Sequence, residues 1–189
     1  MTIQGKNVLA VLLFLTIGCF QPIFAQGGHF ENQVILKNLP VPKEKNQLFY
    51  LQRDPDANTV IYQLNLKNNR LDKKKPVHAY WKQFEQGGST KALNYIQRTM
   101  AYGIQSKAIG ENVYDLEIAA YKQLDLKLTY SEKHKKYLVI TKINGKMAVL
   151  DRLFVRIVGG TVFTPDIRFY KLTGRDYNTN ELLEEEIKP

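Results

Sequence analysis

Apolar and polar residues alternate with a period of two through most of the chain after residue 45, which is the pattern of half-buried β-strands. Residues 48–52 and 60–66 follow this pattern on either side of a turn rich in Asp, Pro and Asn. Residues 77–84 are apolar or aromatic on both faces and predict a central strand. Further predicted strands lie within residues 112–130, 137–143, 146–150, 153–157 and 163–169. The pattern leaves open whether residues 112–130 form one strand or two.

One segment has a different period. Leu93, Ile96, Met100 and Ile104 recur every three or four residues, so the spacing predicts a helix of about four turns over residues 89–104. This stripe of apolar side chains would face the core.

Together, these predicted elements give a mainly β (α+β) fold with seven or eight antiparallel strands joined as sequence-adjacent hairpins. Such a meander curls into a barrel-like sheet or a two-layer sandwich, with the helix closing one end or side. Asn144-Gly145 is the strongest hairpin signal, because both residues tolerate a positive φ. We expect an irregular leader over residues 26–45 and a single domain over residues 46–176. An acidic tail follows over residues 177–189, with a brief helix.

The N-terminus reads as a secretory signal peptide over residues 1–25. Lys6 precedes an apolar run from Val8 to Phe20, and Ala25 offers a small residue for cleavage. The run is shorter than the roughly 20 residues of a membrane-spanning helix, so we expect no transmembrane span in the mature chain. Cys19 is either a small apolar residue of this run or, in a lipoprotein, the acylated residue.

Composition limits the chemistry. Cys19 is the only cysteine among 189 residues, so after cleavage at Ala25 no thiol remains for disulfides, thiolate nucleophiles or metal sites. The net charge of +9 favours an acidic partner, and because the protein is expected to be exported we expect no nucleic-acid partner. Lysines gather at residues 73–75 and 133–136, either as solvated turns or as an anion site.

Several short motifs occur in a recognisable order: residues 48–55, 58–62, 76–81, 95–98 and 101–103, with Leu150-Asp151-Arg152. With these motifs, residues 40–175 resemble a family of small secreted bacterial proteins catalogued only as a domain of unknown function, number forty-eight thirty-three. The resemblance implies export and a single domain, and it carries no activity.

Two near-identical tetrapeptides, Tyr-Leu-Gln-Arg at 50–53 and Tyr-Ile-Gln-Arg at 95–98, suggest an anion site. Arginine forks suit carboxylates and phosphates, and tyrosine hydroxyls orient them. Alternatively, the arginines form ion pairs with nearby carboxylates. Arg152, Phe154 and Arg156 share one face of their strand, which either lines the barrel interior or faces water.

Signs of catalysis are weak. Asp115 and Glu117 lie two residues apart on a strand, about 6.8 Å by strand rise, a spacing that also occurs on solvent faces. The three histidines are dispersed, and the sequence has neither a serine nucleophile elbow nor a phosphate-binding glycine loop. We expect no metal and no cofactor, and we favour a non-catalytic role.

The sequence therefore predicts a secreted or periplasmic binding domain for a small apolar or amphipathic anionic ligand. The alternative is a cell-envelope module that uses its basic surface on anionic lipid or glycan, and a hydrolase is a distant third. The oligomeric state stays open. The candidate ligand-binding residues are Tyr50, Arg53, Trp81, Tyr95, Arg98 and Arg152.

Overall fold

A computed structural model describes residues 39–54, 56–161 and 164–189. The expected signal peptide, Cys19 and residues 26–38 of the leader lie outside the described residues. The described part contains the strands β1 (Gln47–Asp54), β2 (Asp56–Leu64), β3 (Leu66–Lys67), β4 (Arg70–Leu71), β5 (Val77–Gln83), β6 (Ser89–Ala92), β7 (Ile104–Gly110), β8 (Val113–Ile118), β9 (Leu126–Ser131), β10 (Lys136–Ile143), β11 (Lys146–Gly160), β12 (Pro165–Asp176) and β13 (Leu182–Ile187). A 3-10 turn spans Phe84–Gln86, and a short helical turn spans residues 95–101, with Gln97–Ala101 as its π-helical part.

Eleven of the described strands form one sheet. Nine of them follow the order β6-β5-β2-β1-β11-β10-β9-β8-β7, in which β10 and β1 pair with successive parts of the same edge of β11. β12 pairs with the opposite edge of β11, and β13 pairs with β12. The sheet curls into a half-barrel, which confirms the expected mainly β, curved architecture. The remaining two, β3 and β4, pair as a separate small hairpin.

The expectation of purely antiparallel, sequence-adjacent hairpins was wrong at the centre of the sheet. β1 pairs in parallel with β11, with Tyr50 opposite Arg152, although about a hundred residues separate the two strands. β11 is long enough to pair with β10 near its start and with β1 further on, while β12 follows its other edge. The two predicted strands 146–150 and 153–157 are therefore one strand.

A bulge at Asp151 divides β11 into two halves. The register with β12 shifts between Leu150 and Arg152. Before the bulge Leu150 faces the core, and after it Leu153 does, so the inward positions change from even to odd. Arg152 consequently faces outward, away from the barrel interior.

The core fills the inside of the curl. Phe49 and Tyr62 are fully buried and stack with ring centroids 4.3 Å apart. The same cluster includes Val60, Leu51, Leu116, Leu126, Leu128, Val139, Leu153, Val155 and Leu172, which come from seven strands of the sheet. Along β8 every second side chain is buried, as the sequence pattern predicts, whereas β1 and β2 each bury four consecutive residues and so are covered on both faces.

The predicted helix over 89–104 was wrong in extent. Ser89–Ala92 form β6, which pairs with β5 across a Gly-Gly turn, and Ile104 begins β7. Only residues 95–101 are helical. The backbone of residues 89–92 finds hydrogen-bond partners on the edge of β5, and this tertiary pairing outweighs the local helical pattern.

The structure decides one open alternative, confirms one prediction and corrects another. Residues 112–130 form two strands, β8 and β9, with a turn between them. Asn144 and Gly145, with φ of 50° and 75°, form the expected hairpin turn between β10 and β11. The tail was expected to be briefly helical and instead forms β13, which pairs with β12 through backbone bonds.

Candidate functional site

The six candidate ligand-binding residues lie in three separate places. Arg53 and Trp81 lie together at one end of the core. Tyr50 and Arg152 are paired on the outward face of the sheet. The helical turn carries the other two, Tyr95 and Arg98, and both are exposed.

The Arg53 guanidinium lies between two aromatic rings, 5.5 Å from the Trp81 centroid and 5.8 Å from that of Tyr102. One terminal nitrogen donates to the Tyr102 hydroxyl at 3.0 Å, and the other forms an ion pair with Asp56 at 3.1 Å. Burial raises the pKa of Tyr102, and the nearby Arg53 charge opposes this shift, so the hydroxyl stays protonated at neutral pH. Arg53 is thus occupied by protein groups and acts as an anchor.

This anchor fixes the helical turn to the sheet. The Trp81 indole donates to Oε1 of Gln97 at 3.1 Å, and the buried Tyr62 hydroxyl donates to the carbonyl of Tyr102 at 2.9 Å. On the other side, the Ala119 amide donates to the carbonyl of Gly103 at 2.9 Å. The turn therefore has bonded partners at both ends of the curled sheet. Sequence reasoning missed Tyr102, although the motif 101–103 contributes to the family resemblance.

A cleft opens where the two ends of the half-barrel approach each other, between β5 and β7. We call it the seam cleft, and it has a volume of about 390 Å³. It is lined by Lys74, Lys75, Val77, His78, Ala79, Leu93, Arg98, Gly103, Ile104, Gln105 and Ser106. Its apolar floor includes Val77 and Leu93, each only 6% exposed.

The rim of the seam cleft is cationic. Lys74, Lys75 and Arg98 are exposed, and none forms an ion pair with a carboxylate among the described residues. No Asp or Glu of the described residues lines the cleft. His78 stacks on Tyr80 with centroids 5.5 Å apart, and burial lowers the pKa of its imidazole below the usual 6.5. An apolar floor under an uncompensated cationic rim suits an amphipathic anion.

Gly103 shapes the wall of this cleft. A Cβ at this position would lie 1.8 Å from the carbonyl oxygen of Arg98, closer than atoms can approach. Only glycine permits the backbone to pass this close to the helical turn. The position of Arg98 at the rim therefore depends on Gly103.

Tyr50 and Arg152 line a second groove, of about 580 Å³, on the outward face of the sheet. Burial raises the pKa of Tyr50 and also that of Asp151, which lies 3.6 Å from Arg175. Glu184 also lines this groove, so its cations and carboxylates are mixed. Here an anionic ligand would compete with carboxylates already present.

Arg156 belongs to the same outward face. Its surroundings show whether this face lines the barrel interior or faces water, the alternative that the sequence left open. Its side chain is 16% exposed and forms an ion pair with Asp54, which is 10% exposed. The face is thus neither the barrel interior nor an open solvent surface, because it buries a charged pair. Phe154 and Phe169 pack close to it, with ring centroids 6.2 Å apart.

Each carboxylate of the possible acid–base pair lies near a lysine, although Lys127 is closer to Asp125, at 2.5 Å. Asp115 lies 3.9 Å from Lys127, and Glu117 lies 3.2 Å from Lys122. Both carboxylates point outward from β8, whose alternate residues are buried in the core. Among the described residues, no group of three or more His, Cys, Asp or Glu side chains is placed to hold a metal ion.

The described part of the chain has no helix long and apolar enough to cross a membrane. Comparison with curated proteins and with solved structures finds no match. A family model described as a domain of unknown function, DUF4833, matches residues 49–186, which covers β1 to β13 almost entirely. The chain belongs to the DUF4833 family.

Proposed function

We propose that this protein is a non-catalytic binding domain that holds a small amphipathic anion in the seam cleft. The apolar part of the ligand would lie on Val77, Leu93 and Ile104. Its acidic head would lie between Lys74, Lys75 and Arg98. The observation that carries the proposal is a cationic rim over a buried apolar floor, with no Asp or Glu in the lining that the described residues form.

Size supports the same proposal. Pockets for small molecules measure roughly 300–1,000 Å³ and are mostly apolar, with a few polar groups that fix the orientation of the ligand. The seam cleft, at about 390 Å³, falls near the lower end of this range. It therefore suits a ligand with one short acyl or aromatic group and one anionic head.

The alternative, an envelope module that uses its general basic surface, receives less support from the lysine-rich turn at 133–136. Lys133 donates to the carbonyls of Tyr177 and Asn178 at 3.1 and 3.0 Å, and Lys135 is paired with Glu132 at 2.7 Å. Lys133 thus joins its turn to the connection between β12 and β13, and Lys135 is paired within its own turn. The lysines at the seam cleft have no such partners among the described residues.

The proposal includes export from the cytoplasm, which rests on the signal-peptide pattern of residues 1–25. N-terminal sequencing of protein recovered from its own cells tests it. A chain that begins at Gln26 supports cleavage after Ala25, and one that begins at an acylated Cys19 supports a lipoprotein. An unprocessed chain in the cytosol would contradict export.

Titration calorimetry with three probes tests ligand binding. We expect decanesulfonate to bind at submicellar concentration, 1-decanol to bind at least tenfold more weakly, and methanesulfonate not to bind detectably. Arg98→Met should weaken decanesulfonate binding at least tenfold. The matched control is Arg168→Met, because Arg168 is also exposed and lies outside the cleft. Equal loss in both variants, or no decanesulfonate binding, would contradict the proposal.

A further inference from the structure

The helical turn over residues 95–101 presents its apolar side chains outward. Tyr95 is 72% exposed, Ile96 44% and Met100 56%. The positions that face the sheet are Gln97, bonded to Trp81, and Ala101, packed against the core. The sequence analysis placed Ile96 and Met100 in the core, and this was wrong. The turn instead places its large apolar side chains on the surface and its polar Gln97 against the sheet.

Three large apolar side chains within six residues form a patch that no other part of the described chain covers. Exposed single apolar residues are ordinary, whereas adjacent ones rimmed by polar groups mark interaction sites. The turn is also held firmly, because Trp81 bonds to Gln97 within it and Tyr62 bonds to Tyr102 directly after it. The patch is thus a fixed feature of the surface.

Charge indicates what the patch contacts. The chain has no Asp or Glu between Glu85 and Glu111, while Lys91, Arg98 and Lys107 lie within that interval. Lys91 and Arg98 are both exposed, and neither forms an ion pair among the described residues. Apolar side chains flanked by unpaired cations complement a surface that is negative outside and apolar beneath, as an anionic lipid layer is.

We propose that the helical turn docks the protein on an anionic lipid surface. Tyr95, Ile96 and Met100 enter the headgroup region, and Lys91 and Arg98 contact the anionic headgroups. Three side chains and two cations give reversible binding that is sensitive to salt. The docking site needs no ligand in the seam cleft and shares only Arg98 with it, so variants at Lys91, Ile96 and Met100, which do not line the cleft, test the docking separately from the proposed function.

Co-sedimentation of the exported, processed protein with vesicles tests the proposal. We expect binding to vesicles of phosphatidylcholine with 30% phosphatidylglycerol, much weaker binding to phosphatidylcholine alone, and loss of binding in 0.5 M salt. Lys91→Gln should weaken binding to the anionic vesicles roughly fivefold, which corresponds to about 1 kcal/mol per cation near such a surface.

The double variant Ile96→Ser/Met100→Ser should bind anionic vesicles at least tenfold more weakly and keep its thermal transition, since both side chains are exposed. The matched control is Met147→Ser/Leu182→Ser, whose side chains are 56% and 60% exposed on other strands. Its binding should stay within twofold of the parent. The proposal would be overturned if the parent does not bind vesicles, if Ile96→Ser/Met100→Ser binds as well as the parent, or if the parent binds both vesicle types equally. A protein partner would then be the better explanation of the patch.

Discussion

The Arg53 guanidinium lies over the Trp81 ring, with its central carbon 5.5 Å from the ring centroid. Arg53 comes from β1 and Trp81 from β5, and the same guanidinium reaches Tyr102 at the end of the helical turn. This contact joins two strands to the segment that carries Arg98 to the seam cleft. A cation held between two rings in a partly desolvated site is worth more than one on the open surface.

Arg53→Met should therefore destabilise the protein by about 2 kcal/mol, because it removes the cation–π contacts and the charged hydrogen bond to Tyr102. Urea unfolding at pH 7 measures the change. Arg168→Met, at an exposed position, should cost less than about 0.5 kcal/mol. A loss of equal size in the two variants would show that Arg53 is not an anchor.

Gly103→Ala should destabilise the protein by about 2–3 kcal/mol, because its Cβ would meet the carbonyl of Arg98 at 1.8 Å and force the helical turn to move. Gly159→Ala is the matched control, since no atom lies within 4 Å of a Cβ there. We expect that substitution to be neutral or to stabilise by up to about 1 kcal/mol. Thermal unfolding of both variants makes the comparison, and an unchanged Gly103→Ala protein would contradict the close approach.

The ion pair between Arg156 and Asp54 gives a double-mutant prediction. Arg156→Met leaves the buried Asp54 carboxylate without its partner and should cost about 3–5 kcal/mol. Asp54→Asn/Arg156→Met removes both charges and should cost less than the single variant. Denaturant unfolding of the parent, both single variants and the double variant gives the coupling energy. If the double variant is less stable than Arg156→Met, the unpaired Asp54 carboxylate is not the cause of the stability lost in Arg156→Met.

The sheet was largely predictable from sequence because period-two burial is a local property. Tyr114, Leu116 and Ile118, for example, are buried and alternate along β8 with less buried positions that include Asp115 and Glu117. The parallel pairing of Tyr50 with Arg152 was not predictable, since no local pattern encodes which distant strands meet. The bulge at Asp151 also escaped prediction, and it decides that Arg152 faces outward.

The helical turn shows where periodicity misleads. Leu93, Ile96 and Met100 have helical spacing, yet only Leu93 is buried. The turn presents Gln97 to the sheet because Trp81 offers an indole donor there, a tertiary contact that spacing alone does not contain. Of the candidate site, sequence reasoning found Arg98 but placed it with Arg53 and missed the seam cleft, whose lining comes from four separate segments.

His78 gives the proposed anion site a pH dependence. Burial lowers the pKa of its imidazole below 6.5, so the unliganded protein holds it neutral at pH 7. A bound anion favours the imidazolium, so decanesulfonate, which stays ionised, should bind more tightly as the pH falls below about 6.5. In the absence of ligand, acid has the opposite effect on the stability of the fold. The His78 imidazole binds a proton more readily in the unfolded chain than in the folded protein, so acid destabilises the fold.

Calorimetry of decanesulfonate binding from pH 5 to 8 measures this slope. His78→Gln should bind with little pH dependence, while His134→Gln, in the turn between β9 and β10, should keep the dependence of the parent. If His78→Gln keeps the pH dependence of decanesulfonate binding, a group other than His78 is its source.

The most direct test of the seam cleft is an amide NMR titration of the isotope-labelled protein with decanesulfonate. If the ligand lies in the seam cleft, we expect saturable shifts concentrated at residues 74–79, at Arg98 and at residues 103–106, which line the cleft. Shifts concentrated instead at Tyr50, Leu138 and Arg152 in the outward groove, or no saturable shifts at all, would contradict it.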